Sequence, residues 1–165
     1  MKSLAKDFQH DFADGDFVLH KNNKEVYCEE STGYWLKRIY DKSDNIIYFE
    51  NSHDYWEKKE YNDQNKGISY ENSQGLWVKR VFDKNGNEIY YKDSNKFWSR
   101  RKYDIKNNEI YYENSDNFRI TRKYDETGNE IYYENSDNFW IKRKYDKTGN
   151  EISHERSANF DNTKF

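Results

Sequence analysis

The stretch SDNFRITRKYDETGNEIYYEN at 115–135 is followed without a gap by SDNFWIKRKYDKTGNEISHER at 136–156. Each segment contains two short runs rich in aromatic and β-branched residues, and each run is bounded by Asn, Asp, Gly or Ser. Runs of that length and composition between turn-forming residues are typical of β-strands. One segment therefore predicts one β-hairpin, and two adjacent segments predict a repeat.

The same 21-residue period runs through most of the chain. Its clearest mark is a serine that begins each copy, at Ser31, Ser52, Ser73, Ser94, Ser115, Ser136 and Ser157. A fixed period without insertion or deletion is the sequence signature of a repeat architecture. The sequence predicts seven consecutive hairpins.

Both turns of the repeat are marked by residues that tolerate positive φ. In the turn typified by Asp-Lys-Thr-Gly-Asn, the fourth position is Asn23, Asp44, Asn65, Gly86, Asn107, Gly128 or Gly149. The corresponding position of the other turn is Gly33, Asp54, Gly75, Lys96, Asn117, Asn138 or Asn159. Lys96 is the exception to the pattern. We expect hairpin turns at 41–45, 62–66, 83–87, 104–108, 125–129 and 146–150.

The predicted fold class is all-β: an elongated, twisted antiparallel meander of seven hairpin repeats, with a short N-terminal capping helix. The chain lacks a second set of aliphatic segments that would cover such a sheet, so the sheet either stays open or curls toward a solenoid. Aromatic residues make up 19% of the chain and argue against disorder, because buried rings remove large apolar areas from water.

Strand alternation sorts the side chains of each hairpin into two faces. In the last complete hairpin, one face is expected to carry Phe139, Ile141, Arg143 and Tyr145, and the other Trp140, Lys142 and Lys144. In the return strand before it, alternation groups Ile131 with Tyr133, and Glu130 with Tyr132 and Glu134. We expect the register in which rings and Ile on one strand pair with rings and Ile on the next. In that register, Lys142 and Lys144 pair with glutamates.

Three segments are expected: an N-terminal cap at 1–16, a single β-repeat domain at 17–157 and a tail at 158–165 that begins an eighth copy at Phe160. Leu4, Phe8 and Phe12 recur every four residues, with Ser3 before them and Gly15 after them. That spacing predicts one amphipathic helix that caps the first edge of the sheet.

The composition excludes several classes of protein. The sequence contains no run of about 18 apolar residues, so we expect no membrane span. Charged residues interrupt the N-terminal segment, so we expect no signal peptide. A single cysteine, Cys28, excludes an internal disulfide framework. We expect a cytoplasmic protein, and the net charge of −3 does not favour a dedicated DNA binder.

The segment Tyr-Asp-x-x-Gly-Asn-Glu-Ile-Tyr-Tyr-Glu-Asn-Ser at 124–136 resembles the tyrosine-rich hairpin repeats of the MORN and YD-repeat families. The resemblance covers about 19–157 and implies a repeat β-sheet, although the Gly-rich core of MORN repeats is missing. The repeats are also similar to those of small proteins from phages and mobile elements, and this resemblance implies an inhibitor of the anti-CRISPR type.

Residues with catalytic or metal-binding chemistry are not grouped in the sequence. The four histidines, His10, His20, His53 and His154, are not at ligand spacing, and a Gly-rich phosphate loop is missing. Acidic residues recur in every copy, whereas an active site needs one asymmetric place. We therefore expect no enzymatic activity, no metal and no cofactor.

Two rows of side chains are the candidate binding features. One row consists of Trp35, Trp56, Trp77, Trp98, Arg119 and Trp140. The other row consists of Arg38, Lys59, Arg80, Arg101, Arg122 and Arg143. Two interpretations of the second row are possible: its cations stack on rings and pair with carboxylates inside the sheet, or they form a ladder that binds external phosphates. Strict recurrence of the row favours the first interpretation. The first row is our predicted partner-binding site, because Arg119 shows that its position tolerates a charge.

The functional hypothesis is a non-enzymatic binding protein, phage- or mobile-element-borne, that binds a protein or ribonucleoprotein effector such as a CRISPR nuclease complex through its sheet. Direct RNA contact is a weaker alternative, because acidic and basic stripes alternate. Two further alternatives are a host MORN-like scaffold or immunity protein and an aromatic-repeat module that binds glycans or other ligands.

Overall fold

A computed structural model describes residues 3–158 of the chain. It contains one short helix, α1 (Leu4–Asp7), one turn of 3-10 helix (Phe12–Asp14) and fourteen strands. The strands are β1 (Phe17–Lys21), β2 (Lys24–Glu29), β3 (Trp35–Tyr40), β4 (Ile46–Asn51), β5 (Trp56–Tyr61), β6 (Gly67–Asn72), β7 (Trp77–Phe82), β8 (Glu88–Asp93), β9 (Trp98–Tyr103), β10 (Glu109–Asn114), β11 (Arg119–Tyr124), β12 (Glu130–Asn135), β13 (Trp140–Tyr145) and β14 (Glu151–Arg156).

The fourteen strands form one antiparallel sheet in the order of the sequence. The all-β meander of hairpin repeats is therefore confirmed. The chain also divides, between Lys79 and Arg80, into two compact parts, here the N-terminal unit and the C-terminal unit. The predicted eighth copy at Phe160 lies outside the described residues.

All predicted turns form, and the restricted positions explain why. Every described residue at the two marked turn positions has positive φ, including Asn107 at 66° and Gly128 at 94°. Lys96, the exception in sequence, adopts φ 67° like its counterparts. Left-handed backbone costs a residue with a Cβ about 1–2 kcal/mol, so Lys96 carries strain that Gly and Asn largely avoid.

An aspartate side chain closes the turn after the first strand of most described hairpins, and Asn62 takes its place in the turn at 62–66. In the turn at 125–129, Oδ1 of Asp125 accepts the backbone N–H groups of Thr127 and Asn129 at 2.9 Å each, and Oδ2 accepts the Asn129 amide at 3.0 Å. Hydrogen bonds to the charged form favour it, so the pKa of Asp125 lies well below its usual range, with the Thr127 hydroxyl as the largest cause.

In five of the copies that the structure describes, the serine that begins the copy joins it to the copy before. Ser157 donates its backbone N–H to the Trp140 carbonyl at 3.0 Å, and its Oγ accepts the Trp140 N–H at 3.2 Å. Ser136 makes the same pair of contacts with Arg119. These contacts account for the strict recurrence of serine at this position.

A β-bulge in the described hairpins corrects part of the predicted face assignment. In β11 and β12, Lys123 pairs with Tyr132, but the next residue, Tyr124, pairs with Glu130, so the bulge inserts Ile131. Glu130 thereby moves to the side of Tyr133 and Arg122. The prediction that Glu130 shares a face with Tyr132 and Glu134 was wrong, and so was the grouping of Ile131 with Tyr133, because alternation does not continue through a bulge.

The predicted pairing of lysines with glutamates was also placed on the wrong strand. The match of rings with Ile is confirmed, since Tyr133 pairs with Ile141, but Lys142 lies opposite Tyr132 in the preceding strand. Lys142 instead pairs with Glu155 in the following strand, and Lys144 pairs with Ser153.

The N-terminal segment forms two short helical pieces rather than the predicted single helix. Ser3 caps α1 as expected, but Gln9 has φ 54°, and the backbone turns there before the 3-10 helix. Leu4 and Phe12 pack beside the small core of Ala5, Phe17 and Tyr27, whereas Phe8 stays 64% exposed. The segment thus covers side chains of the first hairpins rather than forming a straight amphipathic rod.

Candidate partner-binding face

Each hairpin directs two different sets of side chains to the two sides of its strands. The Trp face carries the predicted binding row: Trp35, Trp56 and Trp77 in the N-terminal unit, and Trp98, Arg119 and Trp140 in the C-terminal unit. The Arg face carries the second row. The five tryptophans are half-buried and Arg119 is exposed, so the row lies at the surface of both units.

Cations lie over the tryptophan rings. Lys58 Nζ is 4.9 Å from the Trp56 ring centroid, Lys142 Nζ is 5.0 Å from that of Trp140, and the Arg100 guanidinium is 5.3 Å from that of Trp98. Such stacks cover part of each ring with an aliphatic stem and leave the charge in water. The Trp face thus presents rings and cations together.

The return strands add a tyrosine and a carboxylate to the same face. Tyr132 donates its hydroxyl to Glu134 Oε2 at 3.0 Å, and Tyr111 donates to Glu113 Oε2 at 2.9 Å. Burial, followed by the adjacent glutamate, raises the pKa of both tyrosines, so both hydroxyls stay protonated donors at neutral pH.

Exposed aliphatic side chains extend the apolar part of this face. Ile39 and Val81 are 43% and 47% exposed, respectively, and follow the Trp position at alternate residues of their strands. The bulge residue Ile152 is 64% exposed. In the C-terminal unit, Ile131, Tyr132 and Ile152 line a groove of about 820 Å³ together with lysines of β11 and β13.

The Arg face of the C-terminal unit is a continuous ladder of ion pairs. Arg101 contacts Glu88 at 2.6 Å and Glu109 at 3.5 Å, and Arg122 contacts Glu109 and, at 3.3 Å, Glu130. The alternation of arginines and glutamates continues at both ends of the row. Arg80 contacts Glu88 at one end, and Arg143 contacts Glu130 and Glu151 at the other. Each carboxylate between two arginines is shared, and the charges of the row are compensated inside the face.

Rings complete the Arg face. The Arg122 guanidinium lies 5.8 Å from the Tyr133 ring centroid, and Tyr133 is 6.1 Å from Phe139. Tyr124 donates its hydroxyl to the Glu109 carbonyl at 3.1 Å, so the ring also fastens one strand to another. The structural interpretation of the Arg row is therefore confirmed in this unit.

The N-terminal unit departs from the ladder. Lys59 stands at the arginine position and contacts Glu57 of its own strand at 2.6 Å. Ile46 and Gly67 occupy the two places where other copies have the shared glutamate. Arg38 keeps its pair with Glu25. The two units thus stabilise the same face by different contacts.

The remaining reactive residues do not assemble into a site. His10 Nε2 contacts the Gly15 carbonyl at 2.9 Å, and His154 contacts Glu151 at 2.8 Å. Within residues 3–158, there is no group of three His, Cys, Asp or Glu residues placed to hold a metal ion. Burial raises the pKa of the Cys28 thiol, which leaves it protonated and unreactive at neutral pH.

Sequence reasoning missed two features of the Trp face. It did not predict the Tyr–Glu hydrogen bonds, although the spacing Tyr-x-Glu in the return strands was a signal for them. It also did not place the N-terminal segment on this face, because that contact joins residues far apart in sequence.

Among the described helices, none is long and apolar enough to cross a membrane.

Comparison with known proteins identifies the fold but no family. The chain matches no family model and no curated protein. Crystal structures of TcdB2-TccC3 share 12% identity with it at a TM-score of 0.52, and the match covers 84% of this chain and 8% of the other. The Photorhabdus luminescens Tc holotoxin pore shares 13% identity at a TM-score of 0.53, with coverage of 86% and 9%.

The chain thus spans less than a tenth of the length of the solved proteins that it resembles. At this level of identity, the likeness concerns the fold alone. It agrees with the hairpin sheet that the sequence predicted: this chain is a repeat β-sheet protein.

Proposed function

We propose that this protein acts by binding a macromolecular partner on its Trp face, without catalysis. The difference between the two faces carries the proposal. On the Arg face of the C-terminal unit, cations and carboxylates compensate one another in a ladder. On the Trp face, half-exposed rings with stacked cations remain at the surface.

The chemistry of the Trp face favours a protein surface as the partner. Trp, Tyr and Arg supply most of the binding free energy at protein interfaces, because they combine apolar area with a polar group. Acidic residues such as Glu113 and Glu134 alternate with the cations, which favours a partner of mixed charge over a bare nucleic acid backbone.

The identity of the partner stays a prediction. The resemblance of the repeats to phage and mobile-element proteins supports a ribonucleoprotein effector such as a CRISPR nuclease complex. The single cysteine, Cys28, cannot form an internal disulfide, which supports action in a reducing compartment such as the cytoplasm. The specific test is whether the purified chain inhibits target cleavage by a purified CRISPR nuclease, and unchanged cleavage would reject that partner.

The test of the Trp face uses matched surface substitutions. The immobilised chain is exposed to a bacterial lysate, bound proteins are identified by mass spectrometry, and capture is repeated with Trp77→Ser and Trp98→Ser, one change in each unit. Ile105→Ser is the control, because Ile105 is 95% exposed in a turn.

We expect both Trp variants to stay folded and to lose a partner that the Ile105→Ser variant retains. If both Trp variants retain every partner and melt several degrees lower, the Trp row serves packing, and the proposal is wrong.

A further inference from the structure

The N-terminal segment already occupies one part of the Trp face. Ser3 donates its hydroxyl to one carboxylate oxygen of Glu29, and the Ala5 backbone N–H donates to the other at 3.1 Å. Tyr27 donates its hydroxyl to that second oxygen at 2.8 Å. The contact buries the whole group: Ala5, Tyr27 and Glu29 are 0%, 3% and 4% exposed, respectively.

Hydrogen bonding keeps Glu29 charged in this buried place. Burial alone would raise the pKa of its carboxyl, but the hydrogen bonds from Ser3, Ala5 and Tyr27 outweigh burial and lower it. The same Ser3 hydroxyl oxygen accepts the Lys6 N–H at 3.1 Å, so it caps α1 while it donates to the carboxylate. The beginning of a helix favours a negative charge beside it, and here the sheet supplies that charge.

Rings form the floor of this contact. Tyr27 and Trp35 lie nearly parallel, with ring centroids 6.3 Å apart at 16°. Leu4 packs beside them. The side chains that receive the segment are therefore Tyr27, Glu29 and Trp35, which we define as a Tyr–Glu–Trp triad.

The same triad occurs twice more, and in these two open triads lysines of the sheet, rather than the N-terminal segment, lie over the Trp rings: Lys58 over Trp56 and Lys142 over Trp140. The complete copies are Tyr48, Glu50 and Trp56 in the N-terminal unit, and Tyr132, Glu134 and Trp140 in the C-terminal unit. The other described copies are incomplete: they place Ser at 69 and 153, Lys at 92 and Arg at 119.

The open triads share the strand register of the occupied one, and the C-terminal triad also shares its Tyr–Glu hydrogen bond. In all three triads, the glutamate pairs with the tryptophan of the next strand. Tyr132 donates to Glu134 Oε2 at 3.0 Å, as Tyr27 does to Glu29 Oε2 at 2.8 Å. All members of the two open triads are half-buried rather than buried.

We propose that the open triads bind a helix beginning of a partner protein, with a serine or threonine cap followed by small apolar residues, as Ser3–Leu4–Ala5 binds the first triad. This inference rests on the proposed function and names the ligand class of the Trp face. The hydroxyl and the first free N–H groups of the partner helix bind the carboxylate, and its apolar residues cover the Tyr and Trp rings in place of the lysine stems that lie there in the free chain.

The test uses a peptide with the sequence of residues 3–14 and the full-length ¹⁵N-labelled chain. Peptide is added to several millimolar, and chemical shifts of backbone and indole N–H groups are followed. We expect saturable shifts around Tyr48–Trp56 and Tyr132–Trp140. A peptide with Ser3→Ala removes the cap and should bind at least about fivefold more weakly, the scale of one hydrogen bond to a charged group.

Variants of the chain locate the contact. Glu134→Gln and Tyr132→Phe should each weaken binding at the C-terminal triad about fivefold or more, because each removes part of the carboxylate contact. Glu71→Gln is the matched control, since Glu71 belongs to an incomplete triad. Shifts confined to 17–35, where the peptide competes with the attached segment, or no shifts at all, would overturn the inference.

The two proposals can fail separately. If the peptide leaves both open triads unshifted while the Trp77→Ser and Trp98→Ser variants still lose their partner, the ligand class is wrong and the Trp face stands. If the peptide shifts the open triads but those Trp variants retain every partner, the proposed function is wrong while the triads remain helix-binding sites.

Discussion

Replacement of Arg122 by methionine tests whether the Arg face stabilises the fold. Arg122 is 22% exposed, pairs with Glu109 and Glu130 and lies 5.8 Å from the Tyr133 ring centroid. Methionine keeps an unbranched apolar stem of similar length, so the change removes the charge and its contacts while leaving most of the packing.

The expected loss follows from three contacts. Two half-buried ion pairs in a network contribute about 0.5–1 kcal/mol each, and the guanidinium on the ring contributes about 0.5–1 kcal/mol. The buried methionine stem offsets part of this loss. We expect a decrease of about 2 kcal/mol in the free energy of unfolding, or a Tm lower by about 4–8 °C for a chain of this size.

Arg100→Met is the matched control on the Trp face. Arg100 is 63% exposed, and its ion pair with Glu113 is 3.5 Å long, so we expect a cost of no more than about 1 kcal/mol. Both variants are melted by circular dichroism at low and high salt, and the Arg122 effect should shrink at 1 M NaCl. If Arg122→Met lowers the Tm no more than Arg100→Met does, the ladder does not stabilise the sheet.

Three further changes are expected to alter stability. Ser99 is 1% exposed, and its Oγ is the only described buried side-chain N or O atom without a hydrogen-bond partner, so Ser99→Val should raise the free energy of unfolding by about 1 kcal/mol in urea denaturation. Lys96→Asn should raise the Tm by a few degrees, because Asn tolerates positive φ better than Lys does. The pKa of Asp146 is lowered to about 2 by the Thr148 hydroxyl and the Asn150 N–H, so its contribution to stability is present above the ordinary pKa near 4 and is lost as the pH falls toward 2. Asp146→Asn should therefore flatten the dependence of Tm on pH between 4 and 2, and an unchanged slope would contradict this reasoning.

The turns could be predicted from the sequence because positive φ restricts the choice of residue. At the position of Gly128, each copy has Gly, Asn or Asp, and each of these residues adopts the left-handed conformation. Lys96, at the corresponding position of the other turn, also adopts it, although its own preference opposes it. The repeat period thus predicted a turn at Lys96, although a lysine at that position does not itself favour one.

The bulge was missed because alternation was counted through the strand without a break. The extra residue, Ile131, reverses the side of Glu130 relative to Tyr132, and this reversal creates the Arg–Glu ladder. The sequence did contain a signal, since a turn closed by a left-handed Gly or Asn is often followed by a bulge. Pairing of Arg122 with Glu130 follows once that bulge is placed.

The N-terminal segment shows where local patterns stop being informative. The spacing of Leu4 and Phe12 correctly indicated that both pack on the first hairpins. The hydrogen bonds of Ser3 and Ala5 to Glu29 join residues more than 20 apart in sequence, and no local pattern marks such a contact. The Tyr–Glu–Trp triad therefore became recognisable only in three dimensions.

Oxidative footprinting of the chain, free and bound to a captured partner, tests the central claim most directly. Rings on both faces are labelled by hydroxyl radicals, and Tyr132 and Tyr133 are adjacent in sequence but lie on opposite faces. We expect protection in the complex at Trp98, Tyr132 and Trp140, with Tyr133 and Phe139 unchanged. Protection of Tyr133 and Phe139 with unchanged labelling of the Trp face would contradict the account.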